Sequence, residues 1–360
     1  MELLIFVLLA YLLFSITFKR KDNDNDIEVL DHKSTTCIKG MLSIFVLIHN
    51  LGLDYLQTLS PDGDFTGKLW IVKRVVEYIG GIAVGVFFFL SAYGILTSYK
   101  KNGNKFLIKL FFKNTIKLWL IAVSINLLEY LAFFKNAFER KDAILRILNL
   151  DLFNHYNRMN RHGWFIATLL ALYIVFIIIY FLSSLLKTEK KLKIASYIMA
   201  SVPIGFFVFT LIKDNGGMYS REVWCFSLGI IYGLYKEKIN VFLKKHYNLF
   251  FILSIVAYFI GLILQEETAS GALCLFFVMA SFKYDFKSPV SLFIGKISLG
   301  IYLFLHFSTI VLSSAFQTNV WYWMLINSGF IFMLSVILYF VVLVIEKLIS
   351  KIINFKENKV

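Results

Sequence analysis

Apolar stretches recur from end to end of the chain, and short polar segments separate them. Each stretch is long enough for one helix to cross a hydrocarbon core of about 30 Å. The stretches 221–235 and 269–282 are short and could be tilted or re-entrant. We expect an all-α polytopic membrane protein with about eleven transmembrane helices, at 2–18, 38–58, 78–98, 107–133, 163–186, 193–212, 221–235, 248–264, 269–282, 290–315 and 320–346.

Basic residues concentrate in every second predicted loop, and acidic residues mark the loops between them. Cytoplasmic loops of membrane proteins collect Lys and Arg. The alternation therefore predicts a multi-pass protein of the cell inner (cytoplasmic) membrane, with its N-terminus outside and its C-terminus in the cytoplasm. The same topology accounts for the net charge of +14 over 360 residues, so we expect no nucleic-acid partner. The abundance of Lys, Asn, Ile and Phe indicates an AT-rich, bacterial genome.

The hydropathy pattern divides the chain into four parts. An N-terminal transmembrane helix, 1–18, precedes a charged cytoplasmic linker, 19–36. The membrane domain spans 37–346, and a basic cytoplasmic tail, 347–360, follows it. One long outer connection contains the amphipathic segment Phe138–Leu150, which we expect to form a helix lying on the membrane surface.

His49 is the most informative single residue, because it lies in the middle of an apolar predicted span. An ionisable side chain inside a membrane is costly and by default marks a functional site. Imidazole is also well suited to proton transfer near neutral pH. Lys39 lies ten residues earlier, at a distance of about 15 Å and a rotation of about 80° along a helix. Both side chains could therefore line one cavity at different depths, although Lys39 could equally be an ordinary cytoplasmic flank.

Four further polar residues inside predicted spans are candidate cavity-lining positions. Tyr302 and His306 are one helical turn apart and share a face, so we expect them to form hydrogen bonds across the bundle. Glu129 could pair with a basic residue or lie near the outer interface. Ser91 is better explained as a helix contact than as a nucleophile, because no base is adjacent in the sequence. The three cysteines have no metal-ligand spacing, so we expect no metal site.

A second group of polar residues precedes the span that Trp164 opens. Arg158, Arg161 and His162 lie on the predicted outer side. Together with Trp164, whose ring could stack against a sugar, they are candidates for holding a glycan. Contacts to lipid headgroups and an interfacial Trp anchor are the alternatives.

Four stretches, in order along the chain, resemble motifs of the acyltransferase-3 family of integral membrane O-acyltransferases. One is the basic residue and histidine of the opening core helix, here Lys39 and His49. The others are Val84–Tyr93, His162–Phe165 and Gly295–His306. The chain departs from the family pattern where Ala92 replaces the usual Gly. It also carries Lys109, Lys113 and Lys117 where a pair of arginines is common. A lysine ammonium group is a point charge and cannot form the bidentate contact to phosphate that an arginine guanidinium group forms.

The resemblance implies a ten-helix core behind the extra N-terminal helix, and membrane O-acyltransferase activity. The implied donor is cytoplasmic acetyl-CoA or another acyl-CoA, a co-substrate rather than a bound cofactor. The implied acceptor is a hydroxyl of a cell-surface glycan such as a capsule, an O-antigen or a cell-wall polymer. His49 would act as general base, with Lys39 as the second catalytic residue. The phosphates of CoA would dock on a group of lysines that could also be plain cytoplasmic flanks: Lys105, Lys109, Lys113 and Lys117.

Two other functions fit parts of the pattern. A proton-coupled transporter or flippase could use His49 and Glu129 as a proton relay, but it should show repeat symmetry and broken helices, which the sequence does not display. A non-catalytic subunit of a polysaccharide assembly complex should tolerate the loss of His49. The sequence does not specify the acceptor, the acyl chain or the oligomeric state, and it leaves open whether the acyl group passes directly or through His49.

Overall fold

The computed structural model describes residues 7–11, 18–20, 29–59, 68–135, 137–150, 160, 162–214, 222–264, 268–312 and 320–357. Almost all of these residues are helical, which confirms the all-α class. The elements in chain order are β1 (Phe18–Arg20), α1 (His32–Leu59), α2 (Lys68–Asn102), α3 (Asn104–Lys109), π1 (Leu110–Ile116), α4 (Lys117–Glu129), π2 (Tyr130–Phe134), α5 (Arg140–Ile147), α6 (Trp164–Ser184), α7 (Lys191–Asp214), α8 (Trp224–Lys245), α9 (Tyr247–Leu264), α10 (Thr268–Lys283), β2 (Tyr284–Phe286), α11 (Pro289–Leu312) and α12 (Val320–Glu357).

Within the described ranges, eight helical stretches are long and apolar enough to cross a membrane. They correspond to eight of the predicted spans, so the polytopic architecture is confirmed. Of the other three, 2–18 lies largely outside the described residues. The stretch 221–235 corresponds to the first part of α8, whose second half is rich in lysine. The stretch 269–282 corresponds to α10, a shorter apolar helix of 16 residues. These two were the shortest spans of the prediction.

The segment predicted as a linker, 19–36, is partly structured. Strand β1 pairs antiparallel with β2, with Phe18 opposite Phe286 and Arg20 opposite Tyr284. The Phe18 ring packs against the Phe286 ring at 4.9 Å. Helix α1 begins at His32, earlier than the predicted start at residue 38. Its first turns consist of polar residues, which the apolar pattern did not include. A small ladder therefore ties the chain before α1 to the turn between α10 and α11.

Helices α1 and α11 run parallel and in unusually close contact. A Cβ at Gly40 would collide with the backbone of Ser291, and a Cβ at Gly295 would collide with the backbone of Thr36. Further along, Thr309 Oγ1 donates to Asp54 Oδ2 at 3.1 Å. Small residues allow such close backbone approach in membrane helices.

These contacts fix which residues of the two helices share a level. Gly40 lies beside Gly295, and Asp54 lies beside Thr309, so both pairs are offset by the same number of positions. His49 is consequently level with the turn between Tyr302 and His306. At 1.5 Å per residue it lies within about 3 Å of each of them along the bundle axis.

The span between Asn104 and Phe134 is not a regular α-helix. Residues Leu110–Ile116 and Tyr130–Phe134 are π-helical, and Thr115 Oγ1 donates to the Leu110 carbonyl, five residues back, at 3.0 Å. π-helical turns are rare and often occur at functional sites. Because their bonds run from i to i+5, residues four apart across π1 do not stack as they would in an α-helix.

Helix α5 is the amphipathic segment, and its C-terminal end is attached to the bundle by hydrogen bonds. Its C-terminal carbonyls are held by α4. Asn126 Nδ2 donates to the Arg146 and Ile147 carbonyls at 3.1 and 3.3 Å, and Trp119 Nε1 donates to Leu148 at 2.8 Å. The end of α5 is thus bonded to Asn126, which lies eight residues before the end of π2 on the same helical stretch. The segment after π2 therefore folds back along α4, because α4 supplies donors that satisfy the last carbonyls of α5.

Candidate functional site

A cavity of about 220 Å³ lies between α1, α2, the π1–α4 segment, α6 and α11. Apolar side chains such as Phe87, Phe165 and Leu169 form much of its wall. The wall also carries hydroxyl, amide and ammonium groups from all five segments, which is unusual inside an apolar bundle. These polar lining residues are Lys39, Ser43, Ser91, Asn114, Lys117, Tyr173, Ser298 and Tyr302.

Lys39 is the charge at the end of the cavity near the start of α1. Its ammonium group makes no ion pair or hydrogen bond with any residue that the structure describes. Ser43 and Ser298 beside it donate their hydroxyls to carbonyls of their own helices, those of Lys39 and Gly295. A cation in an apolar bundle without a counter-charge is strongly disfavoured. The cavity is therefore suited to an anionic ligand at this end.

Lys117 is the second charge in the cavity wall, and it is paired. Its Nζ lies 2.6 Å from Glu346 Oε1 on α12, and both side chains are substantially exposed. Exposed pairs of this kind contribute little, typically about 0–1 kcal/mol. Lys117 could therefore exchange Glu346 for an anionic ligand at little cost.

Two candidate lining residues, Ser91 and Tyr302, do reach the cavity. Ser91 forms a side-chain hydrogen bond with Tyr173, another residue of the cavity wall. This bond fits a helix-contact role for Ser91. Tyr302 is nearly buried, and its ring contacts those of Phe165 at 5.2 Å and His162 at 6.4 Å. Tyr302 therefore connects the cavity with the polar residues beyond it.

Those residues form what we call the Glu129 cluster, consisting of Glu129, Asn160, His162 and His306. The Glu129 side chain is completely buried and accepts hydrogen bonds from Asn160 Nδ2 at 3.1 Å and His306 Nδ1 at 3.2 Å. Asn160 Nδ2 also donates to the Leu303 carbonyl, and the His162 amide donates to Asn160 Oδ1. The His162 and His306 rings are 6.1 Å apart. Among the described residues, Glu129 therefore pairs with a histidine and an amide.

His49 lies against α2 and is not part of the cavity wall described above. Its Nδ1 is 2.7 Å from the Val76 carbonyl oxygen, and a Cβ at Gly80 would collide with its ring. A carbonyl only accepts hydrogen bonds, so Nδ1 carries the proton and Nε2 carries the lone pair of the neutral ring. Val46, one turn before His49, does line the cavity. His49 is thus next to the cavity at the level of Tyr302.

The remaining candidates are distributed differently. Lys105, Lys109 and Lys113 are exposed and do not line the cavity, whereas Lys117 does. The helical spacing that grouped them is interrupted by π1. Arg158 and Arg161 lie outside the described residues. Trp164 begins α6 and packs edge-on against Phe165 at 6.3 Å, one residue from the cavity wall.

Comparison with known families identifies the chain. The family model of the acyltransferase-3 family, described as an acyltransferase domain, matches residues 33–346, which is nearly the whole chain. The chain belongs to this acyltransferase family. Comparisons with curated proteins and with solved structures gave no match.

Family membership explains the main features of this acyltransferase. Its members are acyltransferases, so the chain is a membrane enzyme, and the alternatives of a transporter or a non-catalytic subunit lose their support. The matched region includes the whole cavity and the Glu129 cluster. Within the described residues no group of three or more His, Cys, Asp and Glu side chains could hold a metal ion.

Sequence reasoning missed several residues that shape the site of the acyltransferase. Asn160 connects Glu129 to α11, but an isolated Asn in a polar loop carries no signal of that kind. Gly80 provides the space for the His49 ring and is one of many glycines in apolar helices. Asn114 reaches the cavity because π1 changes the register of its helix, which the sequence pattern did not indicate.

Proposed function

We propose that this acyltransferase transfers an acyl group, acetyl in the simplest case, from cytoplasmic acyl-CoA to a hydroxyl of a cell-surface glycan. The observation that carries the proposal is the cavity itself. At one end it has a lysine that meets no counter-charge within the described part of the chain, and beyond the other end lies a hydrogen-bonding cluster of histidine, asparagine and glutamate. This combination suits an anionic donor that enters from one side and a polyhydroxyl acceptor that enters from the other.

Acyl-CoA suits the Lys39 end of the cavity because the coenzyme is a polyanion. Lys39 has no partner among the described residues, and Lys117 has only an exposed partner. We assign Lys39 to an anionic group of the donor and Lys117 to a second one. The exposed Lys105, Lys109 and Lys113 would raise the local concentration of the donor through their field.

His49 is the proposed general base. Its Nδ1 is held by the Val76 carbonyl, so Nε2 is the nitrogen that can accept a proton. As the acceptor oxygen bonds to the acyl carbon, Nε2 takes the hydroxyl proton and the carbon–sulfur bond breaks. The CoA thiolate that leaves then receives the proton, so the products are the ester and free CoA. Residues of the outer connection, including Arg158, Arg161, His162 and Trp164, are proposed to contact the glycan.

The test uses mass spectrometry of surface glycans from cells with and without the protein. We expect glycans from cells that contain it to carry a mass increment of one acyl group, and the His49→Ala variant to lose it. Purified protein in lipid nanodiscs should release free CoA from acetyl-CoA only when a glycan acceptor is present. Identical glycan masses in both cells, together with no CoA release, would refute the proposal.

A further inference from the structure

Glu129 presents a problem that donor binding and the His49 base leave unexplained. Its carboxylate is completely buried within a membrane-spanning segment, where a charged group is expensive. Both carboxylate oxygens are occupied, one by Asn160 and the other by His306. The side chain has no exposed surface through which a ligand could reach the carboxylate directly, so Glu129 acts on a ligand through one of these partners.

His306 is the partner through which the pair can reach a ligand. Its side chain is 18% exposed, whereas that of Glu129 is 0% exposed. The bond to the carboxylate keeps the proton on Nδ1, so the lone pair of the neutral ring is on Nε2. A carboxylate that fixes the tautomer and the orientation of an imidazole is a recurrent device for presenting one defined nitrogen to a substrate.

The surroundings of His306 indicate what that substrate is. The Phe134 ring lies parallel to the imidazole, at 6.4 Å and 4°, and His162 approaches it edge-on. The Phe138 ring packs against Phe134 at 5.8 Å, tilted by 44°, and the Arg146 guanidinium lies over the Phe138 ring. Flat apolar rings next to a hydrogen-bond acceptor match a sugar, which has apolar C–H faces and hydroxyl donors at its edge. A phosphate or another polyanion would be repelled by the carboxylate behind the ring.

The position of the cluster relative to the cavity gives the sugar its role. Tyr302 lies one turn before His306 on α11 and belongs to the cavity wall. The close pairing of α1 and α11 places His49 at the level between these two residues. A sugar bound at His306 would therefore present a neighbouring hydroxyl at the depth of the proposed base.

We propose that the Glu129 cluster is the acceptor-binding subsite of the enzyme. His306 Nε2 accepts a hydrogen bond from a sugar hydroxyl next to the one that is acylated, and Glu129 is the positioning residue that holds the imidazole. This inference rests on the proposed function, because it assigns a place to the acceptor of that reaction. It separates acceptor recognition at His306 from proton removal at His49.

The test measures two-substrate kinetics of the purified protein in nanodiscs, with acetyl-CoA as donor. The acceptors are octyl glucoside and octyl galactoside together with their monodeoxy analogues, which hold the sugar at the membrane interface. For His306→Gln we expect the KM for the intact glycoside to rise about 10-fold, the effect of losing one good hydrogen bond to a buried partner. The KM for acetyl-CoA should not change.

The deoxy analogues identify the contact itself. The analogue that lacks the recognised hydroxyl should bind wild-type protein weakly and should be insensitive to His306→Gln, because each change removes the same hydrogen bond. His246→Gln is the matched control, since His246 lies in the turn between α8 and α9, away from the cluster. It should leave both KM values unchanged.

Glu129→Gln tests the positioning role. The amide keeps the size of the side chain but removes its charge, so the hold on the imidazole weakens. We expect a smaller rise in the acceptor KM, about 3- to 5-fold, with an unchanged affinity for a non-transferable thioether analogue of acetyl-CoA. Unchanged affinity for this analogue also shows that the variant is folded. If the variant does not fold, His306→Gln decides the question alone.

The possible failures are distinguishable. No transfer to any glycoside by wild-type protein would count against the proposed glycan acceptor and therefore against the proposed function. Normal transfer with an unchanged acceptor KM in His306→Gln would overturn the subsite alone. An equal rise in the KM values for the glycoside and for acetyl-CoA would show that the cluster is merely structural. The same conclusion would follow if His306→Gln changed the KM of every monodeoxy analogue by the same factor.

Discussion

The two charged regions of the bundle are built in opposite ways. Lys39 lies in the cavity without a partner among the described residues, whereas Glu129 is fully buried and has both oxygens occupied. An unpaired charge is costly until a ligand neutralises it, whereas a buried charge that accepts hydrogen bonds from its neighbours holds those neighbours in place. The Lys39 region is therefore suited to bind an anion, whereas the Glu129 region holds an imidazole in place. We therefore assign the donor to the first and the acceptor to the second.

The largest effect should come from His49, which lies between the two regions. We expect His49→Gln to lower kcat about 10²- to 10⁴-fold, the usual range for loss of a general base. Both KM values should stay within about 3-fold of wild type, because neither substrate is held by this ring. Steady-state kinetics with both substrates varied would measure this. A His49 variant with wild-type kcat would remove the residue from the mechanism.

The second largest effect tests the unpaired charge directly. Lys39→Met should raise the KM for acetyl-CoA about 10- to 100-fold, because a charge-assisted contact to the donor contributes about 1.5–3 kcal/mol. The same substitution should raise the thermal unfolding midpoint in the absence of donor, since it removes a desolvated cation.

Lys296→Met is the control for this change, because Lys296 is exposed on α11. It should alter neither the donor KM nor the unfolding midpoint. Loss of stability in Lys39→Met, with an unchanged donor KM, would mean that Lys39 has a structural partner and would break the contrast with Glu129.

A third prediction concerns the space that holds the base. Gly80→Ala places a methyl group against the His49 ring, which must then move away from the Val76 carbonyl. We expect kcat to fall about 10- to 100-fold, as displacements of about 1 Å can do. Gly94→Ala on the same helix is the matched control, since no atom lies within 4 Å of the added Cβ. Equal activity of the two variants would show that the ring position is unimportant.

The smallest effect concerns Glu346, which is proposed to compete with the donor for Lys117. Glu346→Gln removes the partner of Lys117 and frees the ammonium for a phosphate. We expect the KM for acetyl-CoA to fall about 2- to 3-fold, consistent with an exposed pair worth less than about 1 kcal/mol. The measurement is a donor titration at low ionic strength. A rise in the donor KM would indicate that the pair itself shapes the donor site.

The sequence predicted the membrane class, eight of the spans and the family, because long apolar stretches and short ordered motifs are local signals. It also placed Lys39, Ser91, Lys117 and Tyr302 among the functional candidates, and all four reach one cavity. The prediction that His306 forms a hydrogen bond across the bundle agrees with its bond to Glu129. A polar residue inside a predicted span, or a position in a short family-like motif, was a sufficient signal for these residues.

Features that depend on helix register or on chain reversal could not be predicted in this way. Lys113 lies within π1, between Lys109 and Lys117, so the three lysines do not share one helix face although they are spaced four residues apart. The amphipathic segment was predicted to be helical, and α5 is helical, but the pattern did not indicate that donors from α4 bind its last carbonyls. The bond between Glu129 and Asn160 joins two segments 31 residues apart and leaves no trace in a local pattern.

The division into a donor region and an acceptor region is tested most directly by one kinetic experiment. Acetyl transfer from acetyl-CoA to octyl glucoside is measured for wild type, Lys39→Met, His306→Gln and the double variant, with both substrates varied. We expect Lys39→Met to raise only the donor KM and His306→Gln only the acceptor KM, with both effects retained in full in the double variant. If both substitutions raise the same KM, or if the double variant is no worse than either single one, the two regions are not separate sites.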